Sequence, residues 1–413
     1  MSVGGATSAA APAVPAAGRV LVVTGHFPPA PGGVQTFTWE MLRRMPADRL
    51  VVVAPAHPDA EAFDAGLDFP VIRRRAYYLI RDLRRIVADY NITSCWIPAV
   101  APIGLAAPFV RRAGVRRIVG STHGQELGWL RVWPTRRALR RMIGALDAVT
   151  YLSAYTHEHL LPVVDRPERM FQLVGGVDTE IFRPGAADPD ARQRLGLPAG
   201  RTVISVARLV RRKGHDMVIK AWPRVLEAVP DAQLVIPGTG VYRSELEQLA
   251  EQIGVRDRVH FTGYVPVDDL AAALDVSDAF VLACRDDRRG LQTEGLGLST
   301  LEASATGLPV VVGLSGGSGD SLIDGVTGFL VDSSGPDEIA TSLITLLTDP
   351  ERARAMGAHG AQWVRRTWTW SAAVDRLTRL LAGEPAGATY ADELPIDLTA
   401  DEDLAADAVA GAS

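Results

Sequence analysis

The chain has 413 residues, 47% of them hydrophobic, with a mean hydropathy of +0.09 and a formal net charge of −5. That length exceeds one ordinary core and calls for two domains of similar size, while the acidic balance argues against a general nucleic-acid binder. Cys95 and Cys284 are the only cysteines, too few for a disulfide framework or a cysteine zinc site, which points to a reducing cytoplasm.

Residues 1–18 are rich in Ala, Pro, Gly and Ser, have no basic segment ahead of an apolar core, and read as a disordered tail rather than a signal peptide. RVLVVTG (19–25) is a short buried-strand run, followed by the turn-rich HFPPAPGGVQ and an amphipathic stretch, TFTWEMLRRM. Strand runs recur at LVVVAP (50–55), ITSCWIP (92–98), RRIVGST (116–122) and AVTYLS (148–153). The longest weakly polar run, 99–110, is too short and too Pro-rich to cross a bilayer. FRPGAADPDARQRLGLPAG (182–200) breaks the rhythm and reads as an interdomain linker. The pattern then restarts at TVISVAR (202–208), AQLVIPG (232–238), RVHFTG (258–263), AFVLAC (279–284) and LPVVVG (308–313). Strands alternating with helices predict two doubly wound, Rossmann-like parallel sheets, over 19–185 and 186–363, with a ligand cleft between their carboxyl ends. Residues 352–383 read as helical, and 383–413 as an acidic disordered tail.

Four constellations carry candidate chemistry. In EGLGLSTLE (294–302), Gly295, Leu296 and Gly297 are predicted at a helix N-terminus, where bare N–H groups and the dipole favour phosphate or polarised hydroxyls. Eight residues of helical rise would hold Glu294 and Glu302 roughly 12 Å apart. That is wider than the about 5–9.5 Å between hydrolytic carboxylate pairs, so the two acids fit opposite ends of one elongated ligand better than a hydrolase. On spacing alone they fit equally a surface acid and a solvated helix residue.

In SVARLVRRKGHD (205–216), Arg208 and Lys213 follow a strand end, and two cations there suit a diphosphate leaving group, although such runs are commonly solvated basic turns. In PPAPGGVQTF (28–37), Gly32 and Gly33 allow close approach to a phosphate without the dinucleotide fingerprint, or form a plain turn. In GSTHGQELGW (120–129), His123 ends a strand and is either a sugar or acceptor contact or a structural histidine. Neither a zinc signature nor a cysteine knuckle occurs, and no metal is expected.

Together these segments resemble glycosyltransferase family 4, the retaining nucleotide-sugar transferases of the two-domain GT-B fold. GGVDTEIFRP (175–184) is similar to that family's interdomain signature, and EGLGLSTLE to its E-x7-E motif. FPPAPGGVQ, STHGQELGW, RLVRRKGHD and EGLGLSTLEASATGLPVV are similar to segments of bacterial phosphatidylinositol-monomannoside mannosyltransferases. The resemblance implies that Gly33 lies against the donor phosphates and that Arg208 and Lys213 neutralise the leaving diphosphate. Glu294 and the amides of Gly295 to Gly297 would hold the sugar, Glu302 the ribose, and backbone near Val265 the base, with His123 at the sugar where the acceptor enters. It implies front-face chemistry, no cofactor besides the donor, and a terminal helix (364–382) crossing back to the first domain.

GGSGD (316–320) departs from the family's G-G-x-P-E by placing Asp320 where Glu stands, and Gln125 replaces the usual His. The segment 70–81 is shorter than in the nearest relatives. The leading donor is therefore GDP-mannose, and the leading acceptor a phosphoinositide glycolipid reached by peripheral contact of the cytoplasmic enzyme with an anionic membrane. The Arg-rich segment 73–85, interleaved with Tyr77, Tyr78, Leu79 and Ile80, is the expected contact. A soluble cyclitol, sugar or natural-product acceptor with a UDP- or GDP-sugar is the alternative. An NAD-dependent oxidoreductase needs a fingerprint the chain lacks. A catalytically inactive sugar-nucleotide-binding module conflicts with the presence of Arg208, Lys213, Glu294 and Glu302.

Overall fold

Segments such as LVVVA, apolar at every position and rich in β-branched residues, cannot sit on a half-solvated sheet; they suit strands covered on both faces. The computed structural model, which describes residues 18–74, 76–188, 190–286 and 293–384 together with Ala386 and Tyr390, places them so. The first sheet has seven strands: β1 (Arg19–Val23), β2 (Leu50–Ala54), β3 (Val71–Arg73), β4 (Ile92–Ile97), β5 (Arg117–Ser121), β6 (Ala148–Tyr151) and β7 (Met170–Gln172). Their order is β3-β2-β1-β4-β5-β6-β7. The second has six: β8 (Thr202–Ile204), β9 (Gln233–Pro237), β10 (Val259–Gly263), β11 (Ala279–Leu282), β12 (Val310–Gly313) and β13 (Gly328–Val331), ordered β10-β9-β8-β11-β12-β13. Both are doubly wound from a central strand, as the sequence pattern predicts.

Alternation within the strands of the second sheet feeds two cores at once. Val203, Leu234, Val281 and Val311 belong to one cluster, and their neighbours Ile204, Val235, Leu282 and Val312 to the other. Burying both faces removes the polar period that would otherwise betray a strand, leaving plain hydrophobic runs. Three strands were not legible in the sequence: β3, β7 and β13. Each lies at a sheet edge, and the three have only three or four residues each.

The chain divides into two compact units. The first comprises residues up to Thr150, Val163–Leu173 and Ser371–Gly387; the second comprises Tyr151–Pro162, Val174–Trp370 and the residues from Ala388. The segment 182–200, expected to join the domains, falls within the second unit. The helical run expected over 352–383 is two helices, Pro350–Thr367 and Trp370–Ala382. It breaks because Thr369 bridges Val177, and the Val177 N–H takes the Trp368 carbonyl at 2.7 Å. Tyr390 lies in the tail expected to be disordered, yet it is 1% exposed and its ring stacks on Trp368 at 4.6 Å. Ala386, 4% exposed, is buried as well, and apart from Gly18, Gly383 and Glu384 the rest of the expected tails lies outside the described residues.

Candidate active site

In the second unit, the turn carrying the cations is fixed by two constraints. Arg211–Lys213 form one tight turn that ends at Gly214, whose φ is 73°. A Cβ at Gly214 would overlap the Ala283 carbonyl oxygen, so the turn lies flush against the chain leaving β11. Arg285 then forks onto Asp216, in the first turn of helix His215–Ala228, at 2.8 and 2.7 Å, while its N–H donates to the Arg212 carbonyl at 2.9 Å. Asp216 is 4% exposed, so this bidentate pair is a dry clamp behind Lys213.

On that turn, Lys213 Nζ lies 2.6 Å from Glu294 Oε2, and Arg212 reaches the same oxygen at 2.8 Å. The Cys284 thiol approaches it at 3.5 Å. All three charged side chains are largely dry, with 11% of Lys213, 11% of Glu294 and 18% of Arg212 exposed. Burial alone would raise the Glu294 pKa. The Lys213 ammonium and then the Arg212 guanidinium outweigh it and hold the carboxyl below its usual range. Cys284 is pushed up to about 12, by burial and then by the Glu294 charge, and stays a thiol.

The Glu294 backbone is held from the other side. Its carbonyl accepts from the Gly317 N–H at 2.8 Å, and a Cβ at Gly317 would strike the Gly295 carbonyl and the Ser153 hydroxyl. The GGSGD segment therefore serves as a close-fitting backstop. Asp320 within it accepts from the Ala154 N–H at 2.8 Å, at the start of helix Ala154–Leu160.

Helix Leu298–Ala305 begins after Gly297, as expected, with Gly297 as its N-cap at φ 96°. Glu294 precedes that helix, so the helical rise used to set the two acids roughly 12 Å apart applies only to the part of the motif from Leu298 onward. Leu296 is 3% exposed and belongs to the core, leaving only its backbone for a ligand. Glu302 is partly buried, and burial raises its carboxyl to about 7. Arg208 is exposed on the loop after β8, and Val265 is half-buried on the loop after β10. The structure thus joins Lys213 and Glu294 directly. It adds Cys284, and Arg212, which sequence spacing could not connect to an acid so distant in the chain.

In the first unit, Gly32 caps helix Gly33–Leu42, and a Cβ at Gly33 would meet open space. Arg73 ties this loop down: it donates to the Pro28 carbonyl at 2.7 Å and pairs with Asp64 at 2.6 Å. Arg73 is thus engaged within the fold, whereas Arg74, paired with Asp82, and Arg85, paired with Asp89, stay on the surface. The side chains of Tyr77, Tyr78, Leu79 and Ile80 lie outside the described residues.

His123 follows β5, its Nε2 lying 2.6 Å from the Pro98 carbonyl and its ring 4.9 Å from Phe37. A carbonyl only accepts, so Nε2 carries the proton and Nδ1 is left as an acceptor. Burial lowers the His123 pKa to about 4. The ring is therefore neutral near pH 7, which favours hydrogen bonding over the proton uptake also expected of it. Glu126, 2% exposed, accepts the His123 backbone N–H at 3.0 Å, and burial raises its carboxyl. Nothing in the sequence singled it out.

Two parallel, doubly wound sheets with charged and glycine-rich loops beyond the strand ends are the architecture of the GT-B class. The structure of Anabaena Alr3699/HepE in complex with UDP covers 88% of this chain and 100% of that one with a TM-score of 0.74 at 18% identity. WaaG, a glycosyltransferase involved in lipopolysaccharide biosynthesis, gives a TM-score of 0.61 over 88% of this chain and 100% of that one at 16% identity. Residues 31–181 match Glycosyltransferase Family 4, and residues 188–363 match Glycosyl transferases group 1. The chain is 40% identical over 381 residues, 88% of its length and 98% of the relative, to a GDP-mannose-dependent alpha-(1-6)-phosphatidylinositol monomannoside mannosyltransferase of Mycolicibacterium smegmatis. The monoacylated-substrate counterpart of Corynebacterium glutamicum is 36% identical over 89% of this chain and 98% of that protein. The chain belongs to glycosyltransferase family 4.

Glu302 supplies a test of this geometry. Its carboxyl is raised in the fold from 4.5 to about 7, so the stability gained by holding the proton is complete below 4.5 and is lost as pH rises through about 7. Glu302→Gln is expected to raise Tm relative to wild type at pH 8, by up to about 3 kcal/mol of stability, and to change it little at pH 5. An equal effect at both pH values in thermal melts contradicts a partly buried carboxylate with no partner among the described residues.

Proposed function

We propose that this enzyme transfers mannose from GDP-mannose to a hydroxyl of a phosphatidylinositol-mannoside glycolipid, with retention of configuration. The observation that carries this reading is 40% identity over 98% of a relative with that activity, in a chain whose Lys213 and Glu294 meet in a dry pair. Arg208 and Lys213 take the donor diphosphate, supported by the amides of Gly295, Leu296 and Gly297. Lys213 exchanges a carboxylate for phosphate oxygens. Arg212 remains with Glu294 and keeps it ionised, so that it accepts hydrogen bonds from sugar hydroxyls. Glu302 accepts from the ribose and the Val265 backbone meets the base.

In the transfer, the bond from the anomeric carbon to the phosphate oxygen breaks while the acceptor oxygen bonds to the same face. The acceptor proton has two candidate destinations. His123, lowered to about 4, is a weaker base than a phosphate oxygen, whose second ionisation lies near about 6. The departing phosphate is the better proton acceptor, and His123 orients a hydroxyl through Nδ1.

Membrane contact is assigned to helix Trp133–Gly144 rather than to the segment around Arg73. Val132 is 56% and Trp133 71% exposed, beside exposed Arg136, Arg137 and Arg140. An indole among cations suits an anionic lipid interface. Among the described residues, no helix is long and apolar enough to cross a membrane.

Assays of GDP release with a phosphatidylinositol-monomannoside acceptor test the catalytic reading. Lys213→Ala is expected to lower kcat by about 10²–10³ while Arg212 keeps Glu294 paired and the fold intact. Near-normal turnover in that variant rejects the assignment. Excess EDTA is expected to leave the wild-type rate unchanged; loss of turnover that added divalent ion restores would show that metal shares the task given to Arg208 and Lys213. Trp133→Ala is expected to weaken co-sedimentation with phosphatidylglycerol vesicles several-fold, and undiminished binding removes this helix from the contact.

A further inference from the structure

Leu146 and Asp147 immediately precede β6, and Arg169 immediately precedes β7, so these residues mark the edge of the first sheet where its parallel strands begin. His123 follows the end of β5 and lies at the opposite edge. Two adjoining pockets, of about 220 and 390 Å³, open at the starting edge and share Gly144, Leu146 and Arg169.

One wall is cationic. Arg111 and Arg112, at the end of helix Ala107–Arg112, face this space together with Arg166 and Arg169. The carboxylates lining it are Asp147 and Asp165, and both are engaged. Asp147 accepts from Arg111 at 2.6 Å and from the Ile118 N–H at 2.7 Å, and Asp165 is held by Arg140 at 2.5 Å. The other wall is apolar, formed by Ile143, Leu146, Val149 and Val164.

A purely structural role accounts for part of the cluster. Arg111 also donates to the Arg116 carbonyl at 2.5 Å, and Arg169 to the Leu146 carbonyl at 3.3 Å. It accounts less for Arg112 and Arg166, both exposed: Arg112 lies over the Phe109 ring at 5.6 Å, and neither side chain makes a hydrogen bond or ion pair among the described residues. The surplus of charge is felt nearby: Arg117 has its pKa lowered by burial, which the opposing pull of Asp147 does not cancel, and further by repulsion from Arg169 and Arg111.

The geometry points to a second ligand site here, one that takes a phosphate ester: phosphate oxygens on Arg112, Arg166 and Arg169, and the ester's apolar group in the slot of Ile143, Val149 and Val164. Guanidinium forks match phosphate oxygens, and each methylene withdrawn from water into the slot strengthens binding. A lipid headgroup and a soluble phosphate ester share this chemistry.

Calorimetry with hexyl phosphate and inorganic phosphate tests it on the full chain. Hexyl phosphate is expected to bind at least tenfold more tightly than inorganic phosphate. The double variant Arg112→Ala/Arg166→Ala, which touches no internal ion pair, is expected to lose tenfold or more of that affinity, whereas Arg208→Ala loses none. Equal binding by the double variant, or loss in Arg208→Ala instead, overturns the site; equal affinity for the two probes overturns its apolar half. Vesicles of phosphatidylglycerol distinguish the sources: weakened co-sedimentation of the double variant assigns a lipid headgroup, and unchanged co-sedimentation assigns a soluble ester.

Discussion

One carboxylate shared by two cations, Glu294 with Lys213 and Arg212, sets the terms for the rest of the second unit. Taking ions out of water costs several kcal/mol each, a cost that good geometry and opposite charge offset only in part. The arrangement leaves a net positive charge in a place that is already dry. Under the proposed function, an incoming diphosphate would find Lys213 stripped of water before binding, so the exchange of one anion for another would avoid a fresh desolvation of the ammonium. Arg212 makes that exchange tolerable for the fold, because Glu294 never stands alone.

Such a cluster needs a rigid frame. Gly214 presses one side of it onto the Ala283 carbonyl, the Arg285–Asp216 fork locks the turn from behind, and Gly317 backs the Glu294 main chain. These contacts join loops that leave different strands of one parallel sheet, the edge where open α/β sheets assemble sites. Cys284 adds a weak thiol donor and little else, since burial and the adjacent negative charge deny it a thiolate.

Both central sheets and the position of helix Leu298–Ala305 were legible because uniform apolar runs and a glycine pair before a helical period leave few alternatives. The edge strands β3, β7 and β13 were not, since three or four residues give no period to read. The acid–base partners Lys213 and Glu294 were each visible, but their pairing and the entry of Arg212 are tertiary facts. The partners of Arg73 were hidden for a different reason: a basic run advertises a solvated face, while its first member is spent on Asp64 and the Pro28 carbonyl. The break between the two last helices was equally hidden, because the bridge from Val177 to Thr369 overrides local helical preference.

The first unit separates two chemistries along one sheet. Where its strands end, His123 is kept neutral and the Glu126 carboxyl is raised, so the polar groups there favour uncharged hydroxyls. Where the strands begin, Arg111, Arg112, Arg166 and Arg169 crowd against two engaged carboxylates. Burial explains the first edge and incomplete neutralisation the second. The two groups of residues stand at opposite ends of the parallel strands, so the arginine cluster lies outside the immediate surroundings of His123. Cations at the starting edge therefore leave His123 unperturbed, and the lowering of its pKa follows from its own surroundings, burial foremost and the neighbouring His26 next.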